Sequence, residues 1–150
     1  PFWFIAVRRY LEAIVMYDSA EKRFGPIVNI VVKKAIALYE SGQVEEAALA
    51  FQEVRRLDPQ CMEGMVYYSH ILYVRGERAK LSDLAHYAMG MDGNKFSFTT
   101  CCIVGNYYEL QDDHRNAILY FRRALRLNRR YVGAWILIGH AFLSMGKVRN

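Results

Sequence analysis

The chain has 150 residues, with 20 Lys and Arg against 15 Asp and Glu, giving a formal charge of +5. Hydrophobic residues make up 53% and charged residues 23%, a balance that excludes a mainly disordered chain. One core at this length buries about 70% of the unfolded surface, so neither a disulfide nor a metal is needed to hold the fold.

The first stretch, residues 1–27, opens on an apolar run around Phe2 to Val7, read as a shortened helix. Arg8 and Arg9 follow this run instead of preceding it, which is not the layout of a secretory leader. Ala13-x3-Tyr17-x2-Ala20 then fits a second helix, ended by Gly25-Pro26. Residues 28–61 carry Val31, Ala35 and Leu38 on a helix at about 29–41. Ala47-x3-Phe51-x2-Val54 follows on one at about 45–57, closed by Pro59. Residues 62–97 place Met65, Tyr68, Ser69 and Leu72 on a helix at about 63–75, and Leu81, Ala85 and Ala88 on one at about 79–91. Residues 98–131 read Cys101-x2-Val104-Gly105-x2-Tyr108 on a helix at about 98–110, then Ala117-x3-Phe121-x2-Ala124 at about 114–127. Residues 132–150 begin the pattern again as Trp135-x2-Ile138-Gly139-x2-Phe142, on a helix at about 132–145.

These units start at Val28, Met62, Phe98 and Val132, spacings of 34, 36 and 34 residues. Thirty-four is the period of the tetratricopeptide repeat, a pair of antiparallel helices. Each pair is too small to bury its apolar face alone, so neighbours stack and share one core. The predicted fold is therefore all-α: a tetratricopeptide-repeat solenoid of helix pairs stacked in a right-handed superhelix. Its expected core is Ala35, Leu38, Ala47, Phe51, Leu72, Gly105, Tyr108, Ala117, Phe121, Ala124, Trp135, Gly139 and Phe142. Small residues mark close helix approach, and large ones fill the gaps. Glycine recurs at one turn position as Gly42, Gly76 and Gly146, with Asp112 in the third repeat. The chain begins at Pro1 without an initiator Met and stops within a repeat, so it reads as a piece of a longer protein.

No phosphate-binding glycine loop, G-x-S-x-G or H-E-x-x-H is present, and no cofactor is expected. The histidines His70, His86, His114 and His140 are scattered. First-helix positions of successive repeats lie too far apart to converge on one metal, so no metal site is expected. No nucleophile, base and orienting group can be assembled from this spacing, so the chain is not expected to be an enzyme or to bind a small-molecule substrate. The longest nearly apolar stretch, Tyr131 to Met145, falls short of the roughly 18 residues of a membrane span. Three cysteines with no C-x-x-C pair, and no N-x-S/T acceptor, point to a reducing intracellular compartment.

Arg122, Arg123, Arg126, Arg129 and Arg130 form the densest charge run. Phe121, Ala124 and Leu125 should face inward and Arg122, Arg123 and Arg126 outward, so the run reads as a solvated helix face. No aromatics interleave with it for base stacking, which argues against nucleic acid. The concave face of the first helices is the expected ligand surface. Its candidates are Tyr39, Glu63, His70, Tyr73, Asn106, Glu109 and His140. Tyrosines supply rigid contact area, Asn106 can pair with a peptide backbone, and the two carboxylates suit an Arg-bearing extended peptide. Val32, Val66, Cys102 and Ile136 stand where chaperone-binding repeats place clamp residues, which argues against a carboxylate clamp.

Particular strings go further than the generic repeat. Leu72-Tyr73-Val74-Arg75, Leu81-Ser82-Asp83-Leu84-Ala85-His86 and Thr100-Cys101-Cys102-Ile103-Val104-Gly105-Asn106-Tyr107-Tyr108 are three of them. Tyr120-Phe121-Arg122-Arg123-Ala124-Leu125-Arg126-Leu127-Asn128, Arg130-Tyr131-Val132-Gly133-Ala134-Trp135 and Gly139-His140 complete the set. Together they resemble the eighth-subunit family of the anaphase-promoting complex, the cell-division-cycle type of tetratricopeptide scaffold. The resemblance is densest from Met62 to Met145. Where that family has Asn-Pro, this chain has Asn128-Arg129.

The resemblance implies a non-catalytic scaffold subunit of a ubiquitin ligase acting in mitosis, in the nucleus and cytoplasm. It further implies partners among the other anaphase-promoting complex subunits and the coactivator, whose Arg-containing segment it would receive, and a homodimer in the full-length protein. A generic adaptor for complex assembly or trafficking shares the fold without these strings. A basic helical-repeat protein for RNA is the reading from another class.

Overall fold

The computed structural model describes residues 2–93 and 96–130. The expected helix at 132–145, with Trp135, Gly139, His140 and Phe142, lies outside the described residues. Among the described residues the chain forms seven α-helices and no strand. They are α1 (Phe2–Phe24), α2 (Val28–Glu40), α3 (Val44–Leu57), α4 (Met65–Arg75), α5 (Arg78–Asp92), α6 (Phe98–Leu110) and α7 (His114–Leu127). From α2 to α7 the helices coincide, to within two residues at each end, with those the 34-residue period predicts. Two compact units divide the chain, Pro1–Tyr68 and Ser69–Asn150.

α1 departs from expectation. A short helix at Phe2–Val7 followed by a separate one is replaced by one continuous helix of 23 residues. Nothing in the sequence from Phe2 to Phe24 could break it: there is no Gly or Pro until Gly25-Pro26. At that point Gly25 adopts φ +82 and its amide closes on the Glu21 carbonyl at 2.8 Å. No helix among the described residues is long and apolar enough to cross a membrane.

In the first unit α2 contributes Val31, Val32, Ala35, Ala37 and Leu38 to the core, and α3 contributes Ala47, Ala48, Phe51 and Val54. The Lys34 ammonium ties α2 to α1, lying 2.6 Å from Asp18 Oδ1 and 2.7 Å from Glu21 Oε2. Partial burial opposes its charge. The hydrogen bonds to Asp18 and Glu21 outweigh that burial and raise its pKa.

In the second unit α6 is the central element. Every residue from Thr100 to Asn106 is buried, the mark of a helix covered on all sides. α7 is strongly one-sided. Ala117, Ile118, Phe121, Ala124 and Leu125 are buried, whereas Arg115, Arg122, Arg123 and Arg126 are exposed. Side-chain caps start both helices: Ser97 Oγ accepts from the Thr100 amide, and Asp113 Oδ1 accepts from the Asn116 amide, each at 3.3 Å. Leu72 and Gly105 are buried as expected core residues, while Tyr108 is half-buried with its ring stacked on Tyr120.

The three turns within the helix pairs share one geometry. The amide of Gln43 reaches the Leu38 carbonyl at 2.9 Å, that of Glu77 reaches Leu72 at 3.0 Å, and that of Asp113 reaches Tyr108 at 2.9 Å. One residue earlier the backbone is left-handed, with φ +88 at Gly42, +69 at Gly76 and +61 at Asp112. Aspartate tolerates this conformation less well than glycine does. Asp112→Gly should therefore stabilise the chain by about 0.5–1 kcal/mol in urea unfolding. A destabilised variant would show that the Asp112 side chain contributes more than its backbone conformation costs.

Candidate functional site

Each unit brings tyrosine rings close to carboxylates. In the first unit the Tyr39 and Tyr67 rings meet edge to face, with centroids 5.0 Å apart and planes at 61°. The Tyr67 hydroxyl donates to the Glu40 carboxylate. Its pKa is raised by burial first, then by the charge of Glu40 and that hydrogen bond, with smaller contributions from Tyr10 and Tyr39. Burial and Glu40 likewise raise Tyr39. The result is an exposed carboxylate bordered by half-buried tyrosine rings. Such a surface attracts a guanidinium both to the carboxylate and to the ring faces. Glu63 is exposed.

In the second unit His70 and Tyr73 lie in a stacked arrangement, 6.4 Å apart at 30°. The Tyr73 hydroxyl is pushed up by burial and by the charges of Glu109 and Asp112. Asn106 and Glu109 do not lie open as the sequence register predicts. Asn106 is 1% exposed, and its Nδ2 donates to Ser69 Oγ at 2.9 Å. Its Oδ1 has no hydrogen-bond partner among the described residues. Glu109 is 5% exposed, with Oε2 2.9 Å from His114 Nδ1. The register expectation treats one side of α6 as free, whereas the helix is covered from Thr100 to Asn106 and again at Glu109. Val32 on α2 and Cys102 on α6, two of the positions compared with clamp residues, are buried as well.

Of the seven expected contacts, Tyr39, His70 and Tyr73 are half-buried and Glu63 is exposed. Asn106 and Glu109 are internal, and His140 is outside the described residues. Glu40 and Tyr67 are the functional candidates that sequence reasoning missed. The adjacent pair Tyr67-Tyr68 was the available signal: Tyr68 packs into the core against Phe51, at 5.7 Å, so its neighbour has to point elsewhere.

Among the described residues no His, Cys, Asp and Glu side chains gather as a metal-ligand set. The three cysteines are free thiols. Burial, followed by the neighbouring Cys101, pushes the Cys102 pKa up to about 12. At pH 8 only about one Cys102 in ten thousand is then a thiolate, the form that reacts. Iodoacetamide at pH 8 should label Cys61 first and reach Cys102 only on unfolding, as peptide mass spectrometry would read. Rapid labelling of Cys102 in the folded chain would contradict the burial of α6.

Models of the tetratricopeptide repeat match residues 4–60, 32–80 and 98–131, which is most of the chain. The chain belongs to the tetratricopeptide-repeat family. Among curated proteins, these repeats are 43% identical over 138 residues to the anaphase-promoting complex subunit 8 of Dictyostelium discoideum, covering 91% of the chain and 23% of that protein. The subunit 8 of Arabidopsis thaliana is 37% identical over 139 residues, 93% of the chain and 24% of that protein. The cell division cycle protein 23 homolog of Caenorhabditis elegans is 38% identical over 149 residues, 95% of the chain and 22% of that protein. The repeats thus span about a quarter of the length of these relatives.

Proposed function

We propose that these repeats are part of a scaffold subunit of the anaphase-promoting complex, a ubiquitin ligase, and that they supply contact surface without a catalytic group. The observation that carries this reading is the identity of 37–43% over nine-tenths of the chain to proteins named as subunit 8 of that complex. Neighbouring subunits and the coactivator are the partners. The protein at its natural length is a homodimer and works inside the cell, in the nucleus and cytoplasm. The tyrosine-bordered carboxylate of Glu40 is suited to an Arg-bearing segment of the coactivator.

Affinity purification of the tagged, natural-length protein from dividing cells should recover other anaphase-promoting complex subunits in the same elution. Recovery with a different assembly, and with none of those subunits, would instead favour a generic adaptor. Within the assembled complex, Glu40→Lys should weaken capture of the coactivator's Arg-bearing peptide by about tenfold. Arg129→Glu, on an exposed arginine, should change it by less than about twofold. Equal effects of the two substitutions would place that peptide elsewhere.

A further inference from the structure

We propose that a cavity in the second unit, of about 480 Å³ and bordered by Phe96, Cys101, Tyr120, Arg123, Arg126 and Leu127, docks an acidic protein segment through its carboxylates and an adjacent apolar side chain. This inference goes beyond the scaffold reading and does not depend on which complex the protein joins. Charge gives the first argument. Arg123 and Arg126 are the only charged residues bordering the cavity among the described residues, and no ion pair engages either of them there. They stand three apart on α7, a spacing at which like charges face one another and repel. An anion between them removes that repulsion, and guanidinium forks match carboxylates in two-point geometry.

Pre-organisation gives the second argument. The Arg123 guanidinium lies 5.2 Å from the centre of the Tyr120 ring. Tyr120 is itself held by Tyr108 at 5.6 Å and 18°, and by Phe96 at 6.0 Å and 27°. The cation is therefore already placed when a ligand arrives, which lowers the ordering cost of binding. The same contacts occupy the Tyr120 ring, leaving it unsuited to stack on a nucleic-acid base. Protein is favoured over RNA on that ground.

The remaining border is apolar. Leu127 is 58% exposed, next to half-buried Phe96 and the Cys101 side chain. The volume falls within the range of ligand pockets, and an aromatic or aliphatic side chain would cover Leu127 and Phe96. The N-terminal end of α6 lies between the bordering residues Phe96 and Cys101, and its dipole adds positive potential.

The test is fluorescence anisotropy with the natural-length protein and a short labelled peptide alternating glutamate and phenylalanine. Arg123→Glu combined with Arg126→Glu should weaken binding by about tenfold or more, and the milder pair Arg123→Gln with Arg126→Gln by several-fold. Arg129→Glu with Arg130→Glu carries the same change of net charge and should alter binding by less than about twofold. Leu127→Ser should also weaken binding, as should replacing the peptide's phenylalanines by serine. Equal losses from the two charge-reversed pairs would overturn the proposal in favour of diffuse attraction. A serine peptide that binds as well as the phenylalanine one would remove the apolar anchor and overturn it too. Labelled oligouridylate that binds with the Arg123 and Arg126 dependence, while the peptide does not, would assign the cavity to nucleic acid.

Discussion

Gly105→Leu should lower the melting temperature of the chain by at least about 5 °C, although leucine is the better helix former by about 1 kcal/mol. The reason is contact between α6 and α7. A Cβ at Gly105 would come within 3.0 Å of three carbons of the Phe121 ring, Cε1, Cδ1 and Cζ. Phe121 is fully buried and packs with Ala117, Leu125 and Tyr108, so the ring has no free volume to retreat into. Overpacking of this kind costs about 1–3 kcal/mol or more. Gly90 supplies the control. It also lies in a helix, α5, but a Cβ there meets no atom within 4 Å. Gly90→Ala should raise the melting temperature through propensity alone. If Gly105→Leu melts at or above the parent temperature, close helix approach is not why glycine occupies that position.

Glu109→Lys should destabilise the chain by about 3–5 kcal/mol, read from urea unfolding. The substitution puts a cation beside His114 at a site that is 5% exposed, and it removes the carboxylate that His114 Nδ1 contacts at 2.9 Å. Glu109→Gln keeps a hydrogen-bonding oxygen for His114 and should cost less. A loss below about 1 kcal/mol for Glu109→Lys would mean that water reaches the site and that Glu109 is open to a ligand after all. The pair of variants thus separates a packing role for Glu109 from a binding role, which an activity assay alone would confuse.

Helix positions were legible because the period is carried by residues with clear steric meaning. Gly105 and Phe121 meet, Ala47 and Ala117 are buried, and each helix-pair turn has a residue that accepts a left-handed backbone. The period says less where a helix has a variable number of neighbours. Asn106 and Glu109 lie at the predicted phase of α6, yet that helix is covered on every side from Thr100 to Asn106. α1 is one helix where the repeat spacing predicts two, because Phe2–Phe24 contains no turn residue. The Lys34 bridge to Asp18 and Glu21 and the Glu40 contact with Tyr67 join residues 13 or more positions apart, beyond what helical periodicity encodes.

If, as we propose, the natural-length protein holds other subunits of the anaphase-promoting complex together, ubiquitin transfer by that complex depends on it. Add-back to a depleted complex answers this, with ubiquitin-conjugate formation on a coactivator-dependent substrate as the reading. Conjugates should fall when the natural-length protein is removed from the anaphase-promoting complex, and adding it back should restore them. Restoration should be as complete with Cys61→Ser if, as we propose, these repeats supply contact surface and no catalytic thiol. Unchanged conjugate formation without the protein, or a failure of Cys61→Ser to restore it, would contradict the scaffold account.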